Sequence, residues 1–237
     1  MIDKLILENI LFLDIETVPQ NEDFDQLESL DQELFALKTQ YQRREEFTPS
    51  EFYDRAGIWA EFGKIICISV GFFTGDNNSR TFRIHSYTGR EPELLMQFST
   101  MLQEHFSRRE HLLCGHNAKE FDFPYIARRM LINGLELPAK LNLFGKKPWE
   151  IPHLDTMELW KFGDYKHFTS LKLLTRILGI DSPKDDIDGS QVRNVFYIDK
   201  DLERIARYCE RDVIAVAQVF LKLRNENLLT DDQIIIK

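Results

Sequence analysis

The sequence predicts a single α/β domain in which helices cover a mixed β-sheet. An apolar run rich in Ile and Leu extends from about Leu5 to Leu13 and has the composition of a buried central strand. Two β-branched and aromatic runs, 64–73 and 80–87, flank the turn-forming segment 74–79 and predict a β-hairpin. Strands and helices then alternate along a chain of 237 residues, which is the order expected for one layered α/β domain.

A charged segment follows the first predicted strand. Apolar residues recur in it at helical spacing, which predicts one or two amphipathic helices over residues 22–46. These apolar residues are Phe24, Leu27, Leu30, Leu34, Leu37 and Tyr41. Residues 1–63 contain 15 acidic and 5 basic residues, so the net charge of −9 arises almost wholly in this part of the chain. We interpret about 22–62 as a helical acidic insertion, which either packs on the domain or binds a protein partner.

The remaining elements are predicted from periodicity and from capping residues. In order, they are a helix over Glu91–Phe106, a strand over His111–Gly115, a helix over Phe121–Ile132, a loop over 137–153, a short strand at Leu154–Asp155, a helix from Thr169 to Leu178 and a long helix over Lys200–Arg224. Asp155 is interpreted as the N-cap of a short helix, with a fifth active-site acid as the alternative.

Composition limits the location of the protein and its chemistry. The chain has no apolar stretch long enough to span a bilayer and no signal-peptide pattern, so we expect a cytoplasmic protein without a membrane partner. Its three cysteines, Cys67, Cys114 and Cys209, form no C-x-x-C pair and are expected to be reduced core residues.

Two carboxylates stand at the end of the first predicted strand. Asp14 and Glu16 alternate along it, so their side chains leave the same face about 6–7 Å apart. Like charges in an apolar setting repel unless a cation compensates them, and hard divalent metals prefer oxygen ligands. The alternative is a strand end that enters solvent with both acids hydrated.

Three further polar positions stand out on the later helices. Asp122 lies at the beginning of a predicted helix, where the helix dipole favours its ionised form, and plain helix capping is the alternative. Tyr208 and Asp212 are four residues apart on the last helix and therefore share a face. An ion pair of Asp212 with Arg207 or Arg211 is the alternative for this acid.

Taken in order, these residues resemble the motifs of a known family. Three segments are similar to the three exonuclease motifs of the 3′→5′ proofreading domain of family-B DNA polymerases. They are Asp14-Ile15-Glu16, N-x-x-x-F-D-x-P-Y from Asn117 to Tyr125, and Y-C-x-x-D from Tyr208 to Asp212. More broadly, they resemble the tyrosine branch of the DEDD exonucleases. The resemblance implies a ribonuclease H-like fold, a mixed five-stranded sheet with helices on both faces. Residues 1–237 then form one exonuclease domain.

The resemblance also implies roles for individual residues. Asp14, Glu16, Asp122 and Asp212 are expected to hold two divalent ions, Mg²⁺ or Mn²⁺, that stabilise the charge of an in-line displacement at phosphorus. Tyr208, with an ordinary pKa near 10, is expected to orient the attacking water. Substrate contacts are expected from Ile15, Thr17, Asn117 and Phe121.

A path for a single-stranded substrate is predicted in the middle of the chain. Residues 128–184 contain ten basic and six acidic residues that are interleaved with aromatic residues. Single-stranded nucleic acids bind to such combinations of positive charge and stacking surfaces. Lys146, Lys147 and Trp149 are predicted to line the path together with the segment Tyr165-Lys166-His167, and a solvated surface with core aromatics is the alternative.

The sequence therefore predicts a metal-dependent 3′→5′ exonuclease that acts on single-stranded DNA. An exoribonuclease is the first alternative, because the motifs do not separate DNA from RNA. A non-catalytic nucleic-acid-binding or assembly module of the same fold is the second. The helices over 22–46 remain a possible surface for a protein partner.

Overall fold

The computed structural model of the protein describes residues 2–75, 79–164, 166–180 and 187–237. The strands in these residues are β1 (Ile10–Pro19), β2 (Gly63–Thr74), β3 (Thr81–Thr88), β4 (Leu112–Gly115), β5 (Leu154–Asp155) and β6 (Ile234–Ile236). They form one sheet in the order β5-β4-β1-β2-β3-β6. The hairpin of β2 and β3 and the pairing of β1 with β2 are antiparallel, whereas β4, β5 and β6 join their neighbours in parallel. The predicted mixed sheet is confirmed.

Eight α-helices accompany the sheet in the described part of the chain. They are α1 (Ser29–Arg43), α2 (Pro49–Phe52), α3 (Glu91–His105), α4 (Asp122–Ile132), α5 (Thr156–Lys161), α6 (Leu171–Leu178), α7 (Val192–Asn194) and α8 (Leu202–Leu223). The helices α3, α4, α6 and α8 begin and end within two residues of the predicted bounds. None of the helices in the described residues has the length and apolar character needed to cross a membrane.

Alternation along β1 places helices on both faces of the sheet. Leu11, Leu13 and Ile15 point to one face, where they pack with side chains of α3 and α4. Ile10 and Phe12 point to the other face, where they pack against α8. The Phe12 ring contacts three further Phe rings at centroid distances of 5.6–5.8 Å, which fixes β1 at the centre of the core.

Two details of the sheet differ from the prediction. The sheet has six strands and not five, because Ile234–Ile236 adds to β3 as a parallel edge strand. A three-residue strand carries too little alternation to be recognised in a sequence. The first strand begins at Ile10 and not near Leu5, since the preceding apolar residues belong to the 3₁₀ turns Ile2–Lys4 and Leu7–Asn9.

The segment between β1 and β2 contains a helix, as predicted, but only two of the six apolar residues that predicted it face the core. These two, Phe24 and Leu27, precede α1 and pack in the cluster around Phe35. Phe35 on α1 is fully buried among Phe52, Tyr53 and Phe62. By contrast, Leu30, Leu34, Leu37 and Tyr41 are exposed to solvent. The side chain that anchors α1 thus lies on the face opposite to the periodic residues that predicted the helix.

A buried ion pair joins this segment to the helices below the sheet. Arg129 of α4 binds Glu91 of α3 with two nitrogens, at 2.8 and 2.5 Å, and donates to the carbonyl of Ala60 at 2.8 Å. Glu91 also accepts from the backbone N–H of Ile65 at 2.7 Å. Nearly all of the polar atoms of the pair are therefore satisfied, which buried charges require.

Candidate active site

The first two predicted acids lie within β1 and not at its end as predicted, because the strand continues to Pro19; both lie on the face that α8 covers. Asp14 is opposite Ser69 of β2 and Glu16 is opposite Cys67, and a register shift follows between Glu16 and Thr17. Glu16 is 8% exposed and Asp14 is half-buried. The two acids lie on the same face of β1 as Ile10 and Phe12. Two charged side chains therefore occupy positions at which the alternation along the strand predicts buried apolar residues.

Asp122 reaches the same strand from the start of α4. The register between β1 and β4 ends with Phe12 opposite Cys114. Beyond that pair, the backbone N–H of Ile15 donates to Oδ1 of Asp122 at 3.2 Å. Asp122 is only 4% exposed, and the N-cap of α4 is Phe121, which makes no side-chain capping bond. The Asp122 carboxylate is thus directed to β1 and does not act as the N-cap of its helix.

Asp155 fixes the turn that carries Asp122 toward β1. Its carboxylate accepts from the backbone N–H of Asn117 at 2.9 Å and of Lys119 at 3.1 Å. It also accepts from the N–H groups of Met157 and Glu158 at the start of α5, so its prediction as an N-cap is confirmed. One buried carboxylate therefore caps α5 and holds the loop before α4.

Helix α8 approaches the acids through Cys209. The thiol of Cys209 lies 3.4 Å from Oδ2 of Asp14 and 3.4 Å from its backbone oxygen. One ligand atom each from Asp14, Glu16 and Cys209 lies within 4.8 Å of the others. The next residues of α8 toward the sheet, Val213 and Val216, are fully buried, so the helix is fixed against β1.

The pKa shifts indicate that Asp212 lies close enough to the other acids to interact with them. Burial raises the pKa of Asp14 well above its ordinary value, and the charges of Asp122, Asp212 and Glu16 raise it further. Burial also raises the pKa of Glu16, with Asp212 as the next cause. Burial raises the pKa of Asp122 to about 7, and Asp155 and Asp212 contribute to this rise. Such mutual repulsion is what a bound cation relieves.

The sequence matches the model of a known protein family. A family model described as a predicted 3′-5′ exonuclease related to the exonuclease domain of PolB matches residues 58–233. The chain belongs to this family. The matched segment contains Asp122, Tyr208 and Asp212 and begins after Asp14 and Glu16. None of the curated proteins matches the sequence.

A solved structure gives independent support for the exonuclease fold. The family B DNA polymerase from the hyperthermophilic archaeon Pyrobaculum calidifontis matches with a TM-score of 0.54 and 14% sequence identity. The match covers 88% of this chain and 23% of the polymerase chain, so this exonuclease-family chain spans about a quarter of that protein. The mixed sheet with helices on both faces is the predicted ribonuclease H-like fold.

The motif residues with predicted substrate contacts lie beside the acids. The side chain of Ile15 is 5% exposed and belongs to the core, which limits its predicted contact to the main chain. Thr17 donates its hydroxyl to the carbonyl of Gly57 at 2.8 Å. Phe121 is half-buried and packs on Tyr125 at a centroid distance of 5.3 Å. Asn117 has a φ of 62°, and its buried Oδ1 has no hydrogen-bond partner among the described residues.

The predicted basic path is exposed at the residues that the structure describes, and Tyr165 lies outside them. Lys146 and Lys147 are both on the surface, and the Lys147 ammonium lies 5.3 Å from the ring centroid of Trp149. Trp149 is 76% exposed. Lys146 also lines a groove of about 360 Å³ between α4 and the loop that follows it, with Phe123, Arg128 and Phe144 among its other residues.

Two structural features of the site were absent from the prediction. Cys209 was expected to be an ordinary core residue, and it is buried, but its thiol also contacts Asp14. Glu210 on the same helix is 8% exposed and accepts from the Ser86 hydroxyl at 2.7 Å. Ser69, opposite Asp14, in turn lies 2.8 Å from Ser86. The only signal in the sequence was that both residues fall between Tyr208 and Asp212.

Proposed function

We propose that the protein is a metal-dependent 3′→5′ exonuclease that hydrolyses single-stranded DNA from its 3′ end and releases nucleoside monophosphates. The observation that carries this proposal is the meeting of three distant segments. Asp122 hydrogen-bonds to the backbone of Ile15, the residue between Asp14 and Glu16, while α8 brings Asp212 close enough to Asp14 to raise its pKa, and Tyr208 of the same helix packs against the cluster that contains Val18 of β1. Membership of a family of predicted 3′-5′ exonucleases supports it.

The donor atoms of the site fit hard divalent cations. Asp14, Glu16, Asp122 and Asp212 offer carboxylate oxygens, the ligands that Mg²⁺ and Mn²⁺ prefer. Burial raises the pKa of the Cys209 thiol well above its ordinary value, so this sulfur stays protonated and donates to Asp14. Carboxylate oxygens thus outnumber the single sulfur at the site, which favours a hard cation over a soft one. Two such ions would neutralise four carboxylates and would supply charge stabilisation at the reacting phosphate and activation of the attacking water.

The residues of the chain have separate roles in this hydrolysis. The four acids would hold the ions, and the hydrogen bond from Ile15 keeps Asp122 oriented toward β1. Tyr208 orients the attacking water, since its phenol is a hydrogen-bonding group and a poor base at neutral pH. A P–O bond forms to the water oxygen as the bond to the O3′ leaving group breaks, and this oxygen takes up a proton. The products are a nucleoside 5′-monophosphate and a strand with a new 3′ hydroxyl.

The groove beside α4 is a suitable path for the strand that leads to the site. Its lining combines the 71% exposed ring of Phe144 with the cationic groups of Arg128 and Lys146, whereas Phe123 is buried in the core. Bases stack on such rings and phosphates pair with such cations. The groove follows the outer face of α4, the helix whose first residue is Asp122. We propose that Lys146, Lys147 and Trp149 contact the strand at this edge of the protein.

The test is degradation of 5′-labelled single-stranded DNA and RNA in the presence of Mg²⁺ or Mn²⁺. We expect a ladder of products shortened from the 3′ end, with DNA degraded faster than RNA. Asp14→Asn and Asp212→Asn should each abolish it. The matched control is Glu203→Gln on α8, because Glu203 is 92% exposed and pairs only loosely with Arg207 at 3.8 Å.

The outcomes separate the alternatives. Faster degradation of RNA would replace the proposed substrate with the exoribonuclease alternative. Oligonucleotide binding without degradation by the wild-type protein would indicate a non-catalytic module. Undiminished activity of Asp14→Asn and Asp212→Asn would overturn the assignment of the site.

A further inference from the structure

Helix α1 presents an apolar stripe to solvent. Leu30, Leu34, Leu37 and Tyr41 are 63%, 46%, 61% and 90% exposed. Single exposed apolar residues are common on protein surfaces, but these four follow one another along one helix. A contiguous apolar surface of this kind marks an interaction site.

The fold does not need these side chains. The inner face of α1 is formed by Phe35 and Thr39, both fully buried. Phe35 makes edge contacts with the rings of Tyr53 and Phe62 at 5.3 and 5.2 Å. This face anchors the helix, and none of the four stripe residues belongs to the buried cluster around Phe35.

The spacing of the stripe is that of a coiled-coil seam. Steps of four, three and four residues correspond to the d, a, d and a positions of successive heptads. An antiparallel pair of such helices places each a residue against a d residue of the other. Two copies of α1 would therefore stack Leu34 against Leu37 twice at the centre, and Leu30 against Tyr41 at both ends.

The charges of α1 complement those of a second copy. Asp31 lies in the first half of the helix and Lys38 in its second half, and antiparallel pairing places Asp31 beside Lys38 of the other copy. Lys38 can make this contact because its ion pair with Glu61, at 3.4 Å, is exposed to solvent, whereas Arg43 is already bonded to backbone carbonyls of its own chain. A parallel pair would form a similar contact between Glu33 and Lys38, so the opposed helix dipoles are what favours the antiparallel sense.

We propose that the protein forms a symmetric dimer in which α1 packs antiparallel against α1 of a second copy. The contact is isologous, as expected for a twofold dimer. A helix of 15 residues is only about 22 Å long, so this contact is small and the dimer should dissociate on dilution. The surface lies before the family-matched segment 58–233, and the inference is independent of the proposed nuclease activity.

Sedimentation velocity over a series of protein concentrations tests the dimer. We expect the wild-type protein to change from monomer to dimer as its concentration rises. Leu34→Glu combined with Leu37→Glu should weaken association by more than about 100-fold, because it places carboxylates in the central layers. Both positions are exposed, so the thermal melting temperature should not fall.

The matched control is Met96→Glu, since Met96 is a 54% exposed apolar residue on α3. It should dimerise like the wild-type protein. A wild-type protein that stays monomeric at every concentration would overturn the proposal. Dimerisation that survives Leu34→Glu with Leu37→Glu would overturn it as well.

Engineered disulfides test the orientation of the helices. The native cysteines are fully buried and should not compete. A mixture of Leu30→Cys and Tyr41→Cys proteins should form a crosslinked dimer under mild oxidation, whereas Leu30→Cys alone should not. Efficient crosslinking of Leu30→Cys with itself would show parallel helices and contradict the proposal.

Discussion

Replacing Asp122 with Asn should stabilise the protein when divalent metals are absent. In the folded protein, burial and neighbouring acids raise the pKa of Asp122 from 3.8 to about 7. Asn has nearly the same shape, and its Oδ1 still accepts the hydrogen bond from the N–H of Ile15. The substitution therefore removes the cost of a buried charge and keeps the contact that positions the side chain.

The magnitude follows from the change in pKa. A pKa change of one unit corresponds to 1.36 kcal/mol, so this shift corresponds to at most about 4 kcal/mol of the free energy of unfolding. Because the folded-state pKa of Asp122 is the higher one, folding takes up a proton between the two values. The wild-type protein thus loses stability as the pH rises from about 4 to about 7, and Asp122→Asn does not incur this loss.

Urea unfolding in the presence of a chelator measures the effect over this pH range. We expect the variant to be more stable than the wild-type protein by up to about 4 kcal/mol above pH 7, with a difference that vanishes near pH 4. Glu203→Gln serves as the control and should show no such dependence. A variant that is no more stable than the wild-type protein at high pH, or a difference independent of pH, would refute the reasoning.

Three further substitutions test the framework of the site. Arg129→Met should lower the free energy of unfolding by about 3–5 kcal/mol, because it leaves Glu91 buried without its ion-pair partner; a loss below about 1 kcal/mol in urea unfolding would contradict this. Asp155→Ala should destabilise the protein by more than about 2 kcal/mol, because it leaves the N–H of Asn117 without its acceptor, and should reduce nuclease activity even at saturating metal. If Asp155→Ala left both the free energy of unfolding and the nuclease activity unchanged, a role of Asp155 in fixing the loop would be excluded. Tyr208→Phe should lower kcat and leave Mn²⁺ affinity and melting temperature unchanged, and a wild-type kcat would remove Tyr208 from the mechanism.

The elements that organise the fold could be predicted because each carries a strong local signal. The run ending at Leu13 is apolar on both faces, as the central strand of a covered sheet requires. The helix α8 combines a long periodic stripe with a clear N-cap at Asp201. In contrast, β6 has only three residues, and its pairing with β3 depends on tertiary contacts.

The placement of the candidate site residues within single elements could be predicted, whereas the contacts between elements could not. Spacing alone places Asp14 beside Glu16 and Tyr208 on the face of Asp212. The bond between Asp122 and the N–H of Ile15 joins residues 107 positions apart, and no local pattern encodes it. The same holds for the contact of Cys209 with Asp14, which depends on how α8 docks on β1.

Helix α1 shows a limit of periodicity as a guide to burial. Its apolar stripe predicts the helix correctly, but the buried side is the one with Phe35. Hydrophobic spacing identifies a face that avoids water, and it does not specify whether that face meets the core or another molecule. Only the folded structure shows which side of the helix packs against the core.

Binding of Mn²⁺ to the purified protein, measured by calorimetry, tests the central claim most directly. The account predicts that the wild-type protein and Glu203→Gln bind the ion alike, whereas Asp14→Asn loses most of this binding without losing its fold. Equal binding by Asp14→Asn and the wild-type protein would contradict the claim that these acids form a metal centre.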